Sequence, residues 1–221
     1  MSLVLEVIQG GTITLSGFRA VVAGYTGRDA AAVQHHIDEL AAIGIPAPPV
    51  VPMFYPMPTE VVTTATVLAT STDALTSGEV EPVYIRHRGA FYLGVGSDHT
   101  DRDLERSDIP ASKRACPKPI GPTVLRIDDF EALDLDGALA VSTVDDVPYQ
   151  RGKLDALRRP ADVVGLLLDR LGLEGEDFVC FGGTIPLLDG RFSSGRAWGI
   201  EIALGAGKRL THHYSMEGTG R

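Results

Sequence analysis

"EVEPVYIRHRGAFYLGVGSD", Glu79 to Asp98, contains two runs, "EVEPVYI" and "AFYLGVGSD", rich in β-branched and aromatic residues. Both read as strands. Glu79 and Glu81 lie two apart, so in a strand their carboxylates project from one face. Asp98 follows one antiparallel strand later and returns beside them if the two runs pair. Three carboxylates meeting without a thiolate suit a hard divalent cation, which prefers oxygen ligands. An exposed sheet edge studded with acids is the ordinary alternative, and the residues alone leave both open.

Outward from this pair the chain is strand-rich. "LVLEVI", "TITL" and "FRAVVAGY" precede it, and "TEVVTTATVLATST" leads into it. "LRIDDFEALDLDGALAVSTV" reads as two strands around a short helical turn, "DFVCFGG" as one more, and "AWGIEIAL" with "RLTHHYSM" as a hairpin joined by "GAGK". Two helices are expected. In "GRDAAAVQHHIDELAAIG", Val33, His36, Ile37 and Leu40 share one face, with Gly44 as a plausible stop; "ADVVGLLLDRLGL" carries Asp162 near its start. The prolines of "IPAPPVVPMFYPMP" predict a stiff loop without regular structure. Strands and helices do not alternate as in a Rossmann fold, so the fold class is α+β, mostly β. A boundary near residue 58 would divide N-terminal strands, helix and proline-rich loop (1–58) from a core (59–221), unless the two form one continuous domain.

At 221 residues the chain can bury one sizeable core. Its formal charge of −9 argues against nucleic acid or an anionic membrane as the main partner. The N-terminus lacks a secretory signal pattern, and no apolar run approaches the ~18 residues that span a bilayer. Cys116 and Cys180 form no CxxC pair. A cytoplasmic protein fits these features.

Further groups carry possible chemistry. His36 and Glu39 are three apart on the first helix, where a carboxylate can fix an imidazole tautomer and leave the other nitrogen as a base; a core-edge histidine is the commoner outcome. "SKRACPKPIGP" offers Lys113 and Lys118 in a proline-locked loop to a substrate carboxylate or an oxyanion. In "CFGGTIPL" glycines allow close backbone approach and Thr184 can donate a hydrogen bond. There is no GxSxG, P-loop, HExxH or GxGxxG.

In order, Tyr25, "HIDE", "IPAPPVVP", "EVE", "DHTDRD", "SKRACPKPIGP" and "GGT" resemble the motif series of the fumarylacetoacetate hydrolase superfamily. "AGYTGRD", "SGEVE" and "GSDHTDR" are similar to a divergent, DUF2848-like branch carried as a domain of unknown function. The resemblance implies a mixed β-roll with a few flanking helices and a homodimer that uses Mg, Mn or Ca. It assigns Glu79, Glu81 and Asp98 as metal ligands, His36 with Glu39 as a water-activating dyad, and Lys113 as an electrophilic lysine. Tyr25, Glu105, Lys118 and Thr184 would contact substrate. Glu105 stands where many members have Gln, and the lysine is one residue out of register, which makes Lys118 a rival to Lys113. The implied activity is hydrolytic C–C cleavage of a small 2-oxo or 1,3-dicarbonyl acid through an enolate held by the cation. Hydration, decarboxylation, isomerisation, or a non-catalytic small-acid-binding role are the alternatives.

Overall fold

The computed structural model describes residues 2–42, 46–70 and 74–218, leaving out the side chains of His36, Glu39 and Leu40. Its largest element is a mixed eight-stranded sheet. In spatial order the strands are Thr12–Leu15, Leu3–Val7, Thr123–Ile127, Ala90–Ser97, Val80–His87, Phe178–Phe181, Arg19–Gly24 and Met53–Met57. Leu3–Val7 runs parallel to Thr123–Ile127, and Arg19–Gly24 parallel to Phe178–Phe181; the other neighbours are antiparallel. A five-stranded sheet follows the order Val147–Lys153, Leu139–Val144, Ala197–Ala203, Arg209–Gly218, Val67–Thr70.

Period-two alternation sorts the large sheet's residues into two cores. Tyr84, Leu93, Val95, Phe178 and Cys180 face the helix Pro160–Leu171, through Val163, Val164 and Leu167, and the smaller sheet, through Ile200, Ile202 and Leu210. Val83, Ile85, Val179 and Phe181 face the opposite way. There they join Ile13 and Leu15 from one end of the sheet and Tyr55 and Met57 from the other. That cluster runs along one face of the large sheet from end to end, through Val124, Ile85, Val179 and Val22.

The anticipated Pro160–Leu171 helix begins with proline in its first turn and Asp162 close behind, where a negative charge complements the helix dipole. It stops at Gly172, whose φ of 61° is the left-handed conformation glycine adopts without penalty. The first helix spans Ala30–Ala42, and the Asp29 carboxylate accepts from Ala31 N at 2.9 Å. Gly44, its expected stop, lies outside the described residues.

Two expectations require correction. The proline-rich segment is not wholly irregular, because Met53–Met57 forms the last strand of the large sheet, with Pro56 exposed. An edge strand tolerates a residue lacking an N–H on its open side. Lys113, expected in a loop, lies in the short helix Ile109–Arg114. The first 58 residues also supply four of the eight large-sheet strands, two at each end.

Candidate active site

The hairpin of Val80–His87 and Ala90–Ser97 sets the geometry. Its register pairs Val80 with Ser97 and Glu81 with Gly96, and Asp98 N donates to Glu79 O at 3.1 Å just beyond the strand ends. All three expected carboxylate residues therefore stand at one end of one hairpin. Glu81 and Asp98 are 2% and 1% exposed, so neither charge can rely on water.

Each carboxylate is met differently. Asp98 accepts from Lys113 Nζ on Oδ2, while Oδ1 lies 3.2 Å from Lys118 Nζ and accepts from Thr100 Oγ1 at 3.2 Å. Burial works against the charge, but the two ammonium groups outweigh it and hold the carboxyl well below the usual range. Glu79 is bound by Arg102 Nη2 at 2.8 Å. Glu81 makes one hydrogen bond, from Gly183 N to Oε2 at 3.0 Å, and no ion pair among the described residues. Burial, then the neighbouring Asp98, push its pKa well up.

The bases are fixed by two short capped helices. Asp101 caps Arg102–Glu105, accepting from Asp103 N at 3.1 Å and Leu104 N at 2.9 Å. Asp108 caps Ile109–Arg114 through Ala111 N at 2.8 Å, which places Lys113 in the last turn. Arg102 is a buried hub that donates to Ser77 Oγ at 2.7 Å and Glu105 at 2.9 Å as well as to Glu79, with the Phe192 ring 3.9 Å from its guanidinium carbon. Thr100, Arg102 and Asp103 all brace this turn, the last by accepting from Leu75 N at 3.0 Å.

Both candidate lysines reach Asp98, and their surroundings distinguish them. Lys118 is fully buried and also donates to the carbonyls of His99 and Cys116. Lys113 retains 10% side-chain exposure and sits 5.7 Å from the Tyr55 ring centre. Burial opposes the charge on Lys113, but Asp98 and Glu105 raise its pKa overall; burial and the nearby Lys113 lower that of Lys118. Half-buried Tyr25 has a raised pKa, through burial and then Glu105. The His36 and Glu39 side chains lie outside the described residues, so the expected dyad has no geometry here.

Thr184 is half-buried beside Gly183, the donor to Glu81. Its hydroxyl donates to Val80 O at 2.8 Å and accepts from Gln150 Nε2 at 2.8 Å. The motifs did not reveal Gln150, Tyr55 or Phe192. Gln150 lies on the strand Val147–Lys153, whose burial does not alternate, and a lone glutamine carries no sign of its distant partners.

A divalent cation fits the chemistry of this donor set. The acids present only oxygen, both cysteines are buried with raised pKa, and the deeply buried Glu81 makes no ion pair among the described residues. Among the described residues no three His, Cys, Asp or Glu side chains already converge on one point. Asp98 is turned to the lysines and Glu79 to the arginine instead.

A family model described as a protein of unknown function, DUF2848, matches residues 23–214. The chain belongs to the DUF2848 family. No curated protein matches its sequence. Among solved structures, the DUF2848 chain resembles a fumarylpyruvate hydrolase from Pseudomonas aeruginosa in complex with Mn2+ and pyruvate, with TM-score 0.66, 20% identity, and coverage of 98% of this chain and 97% of that one. A 5-carboxymethyl-2-hydroxymuconate delta-isomerase from Mycobacterium smegmatis gives TM-score 0.60 at 15% identity, covering 96% and 87%. A 2-keto-3-deoxyarabinonate dehydratase gives 0.58 at 14%, covering 92% and 75%. The fold is thus the fumarylacetoacetate hydrolase-like β-roll. No helix among the described residues is long and apolar enough to cross a membrane.

Proposed function

We propose that this DUF2848 protein is a divalent-metal-dependent enzyme acting on a small 2-oxo or 1,3-dicarbonyl acid, with hydrolytic C–C cleavage as the first reaction to test. The observation that carries the reading is the placing of buried Glu81 and Asp98 and partly buried Glu79 at one end of one hairpin, with Lys113 held against Asp98. Glu79, Glu81 and Asp98 would hold the ion, Mg, Mn or Ca. When bound, it supplies Lewis-acid stabilisation of negative charge developing on oxygen.

The chain's own groups divide the remaining work. Two ammonium groups share Asp98, so Lys113 can turn towards a substrate carboxylate or developing oxyanion while Lys118 still balances the aspartate. Lys118, with two carbonyl acceptors and no exposure, stays in place. Tyr25 and Glu105 border Lys113 and would contact the rest of the substrate. His36, oriented by Glu39, is the proposed base that takes a proton from water. The isomerase and dehydratase neighbours keep isomerisation and hydration in view as second readings on the same residues.

Metal analysis of purified protein, Mn2+ titration, and a turnover screen over acylpyruvates and oxaloacetate test the proposal. We expect one divalent ion per chain, and turnover that a chelator abolishes and Mg or Mn restores. Absence of divalent-ion binding would refute it, as would unchanged binding in Glu81→Gln and Asp98→Asn.

A further inference from the structure

At Val80, between the two glutamates, the strand has Ala90–Ser97 on one side and no paired strand on the other. Phe178–Phe181 pairs with it as far as Val83, and Gly182 N donates to Pro82 O at 2.8 Å just beyond. Side chains take over from there: Gln150 Oε1 accepts from Val80 N at 2.8 Å, and Val80 O accepts from the Thr184 hydroxyl at 2.8 Å. Gln150 is fully buried, and its other bonds are Oε1 from Ser142 Oγ at 2.9 Å, Nε2 to Ile185 O at 2.7 Å, and Nε2 to Thr184 Oγ1 at 2.8 Å.

Two backbone partners fix the orientation of this amide. An N–H at Val80 can only donate and a carbonyl at Ile185 can only accept, so the amide oxygen faces the first and the nitrogen the second. The remaining Nε2 proton then points to Thr184 Oγ1. The Thr184 hydroxyl has one proton and two lone pairs. Gln150 occupies one lone pair, and the proton is directed to Val80 O at 2.8 Å in preference to Ile185 O, which is 3.5 Å away and already accepts from Gln150. One lone pair is left.

We infer that Gln150 fixes the Thr184 proton, so that Thr184 meets a ligand as a hydrogen-bond acceptor and selects a hydroxyl, enol or amino group there, not a carboxylate or oxo oxygen. Gln150 acts as a positioning residue and Thr184 as a specificity-determining one. This reverses the donor role suggested by "CFGGTIPL", and it rests on the reading of the site as one that binds small acids.

Isothermal calorimetry of the full chain in saturating MgCl2 tests it with matched acids, pyruvate against lactate and levulinate against 4-hydroxypentanoate. A lost neutral hydrogen bond corresponds to at most roughly tenfold in affinity. In Thr184→Val at least one hydroxy acid should weaken by about that factor, while its oxo partner stays within about twofold. Thr184→Ser, which keeps the hydroxyl, should restore the wild-type ratio. The inference is overturned if Thr184→Val weakens the oxo acids as much as the hydroxy acids, or weakens neither. Should Thr184→Val fail to fold, the wild-type ratios decide: preference for the oxo member of both pairs overturns the inference, and preference for a hydroxy member supports it. Failure of all four acids to bind the wild type would instead overturn the small-acid reading, and this inference with it.

Discussion

Replacing Asp98 by Asn tests the centre of the site. The substitution keeps size and shape but removes the charge that two lysines share. Lys118 is fully buried, and Lys113 is only 10% exposed, so neither ammonium can recover its solvation in place. Breaking a buried pair by removing one partner costs about 3–5 kcal/mol. For a domain of this size, about 1 kcal/mol corresponds to roughly 2–4 °C in Tm, so Asp98→Asn should melt roughly 6–20 °C lower. The assay is urea and thermal unfolding at pH 7, with Mn2+ titration of the folded protein. Lys118→Met supplies the second edge of a double-mutant cycle. The double variant should be less destabilised than the sum of the singles, by about 1–3 kcal/mol, because the neutral amide then faces one ammonium instead of two. Additive effects, or a loss below about 1 kcal/mol for Asp98→Asn, would refute the view that Asp98 anchors both lysines. Unchanged Mn2+ affinity would remove it from the proposed ligands.

Gly183→Ala should destabilise by more than about 1 kcal/mol and weaken Mn2+ binding, because a side chain at φ +97° is strained and its Cβ would collide with Thr26 Oγ1; wild-type unfolding midpoints would contradict this. Buried His99 has a pKa lowered to about 3, by burial and then Lys118 and Arg102. The unfolded chain therefore takes up this proton first, and the stability from neutral His99 is complete above about pH 6.5 and falls by up to ~1.4 kcal/mol per unit as pH drops towards 3. His99→Gln should flatten urea midpoints measured from pH 7 to 4, and unchanged slopes would refute the assignment. Asp98 contributes with the same sign, but below the usual carboxylate pKa, so the comparison of variants isolates the histidine. Glu105→Gln removes a negative charge near Lys113 and Tyr25, so affinity for oxaloacetate should rise about fivefold relative to pyruvate, roughly 1 kcal/mol. Calorimetry on the Mg-supplemented protein checks this ratio, and an unchanged ratio would place Glu105 outside the pocket.

What the sequence made legible follows the range of the interactions involved. The strand pair around Glu81 and Asp98 was readable because alternation and separation along one hairpin are local. The Pro160–Leu171 helix was readable because its first-turn acid and terminal glycine are local as well. The caps Asp101 and Asp108, with Pro110 in the first turn, were also local signals for two short helices, hidden within a stretch that reads as a charged turn. Met53–Met57 was obscured because proline density describes the chain but not its position at a sheet edge, where Pro56 is harmless. Sequence spacing set Lys113 against Lys118 as rivals, whereas both reach Asp98 from different elements. Gln150 was the least legible, since its partners Val80 and Thr184 lie 70 and 34 residues away.

The same nonlocal contacts give the site its charge pattern. Arg102 serves Glu79 and Glu105, and Lys113 and Lys118 serve Asp98. Those three bases face three acids, and Glu81 is the acid left without an ion pair among the described residues, bonded to one backbone N–H. Burying an unmatched carboxylate in a fold that has pushed its pKa up is a local cost, and Gly183 and Gln150 hold the surrounding backbone in the arrangement that keeps it. A stable scaffold could replace Glu81 with an apolar side chain and lose nothing in packing, because buried charge is seldom a source of net stability. Its presence among paired neighbours is best explained by a positively charged ligand, and the Lys113–Asp98 contact, which has a spare ammonium behind it, can open to admit one without leaving Asp98 unpaired.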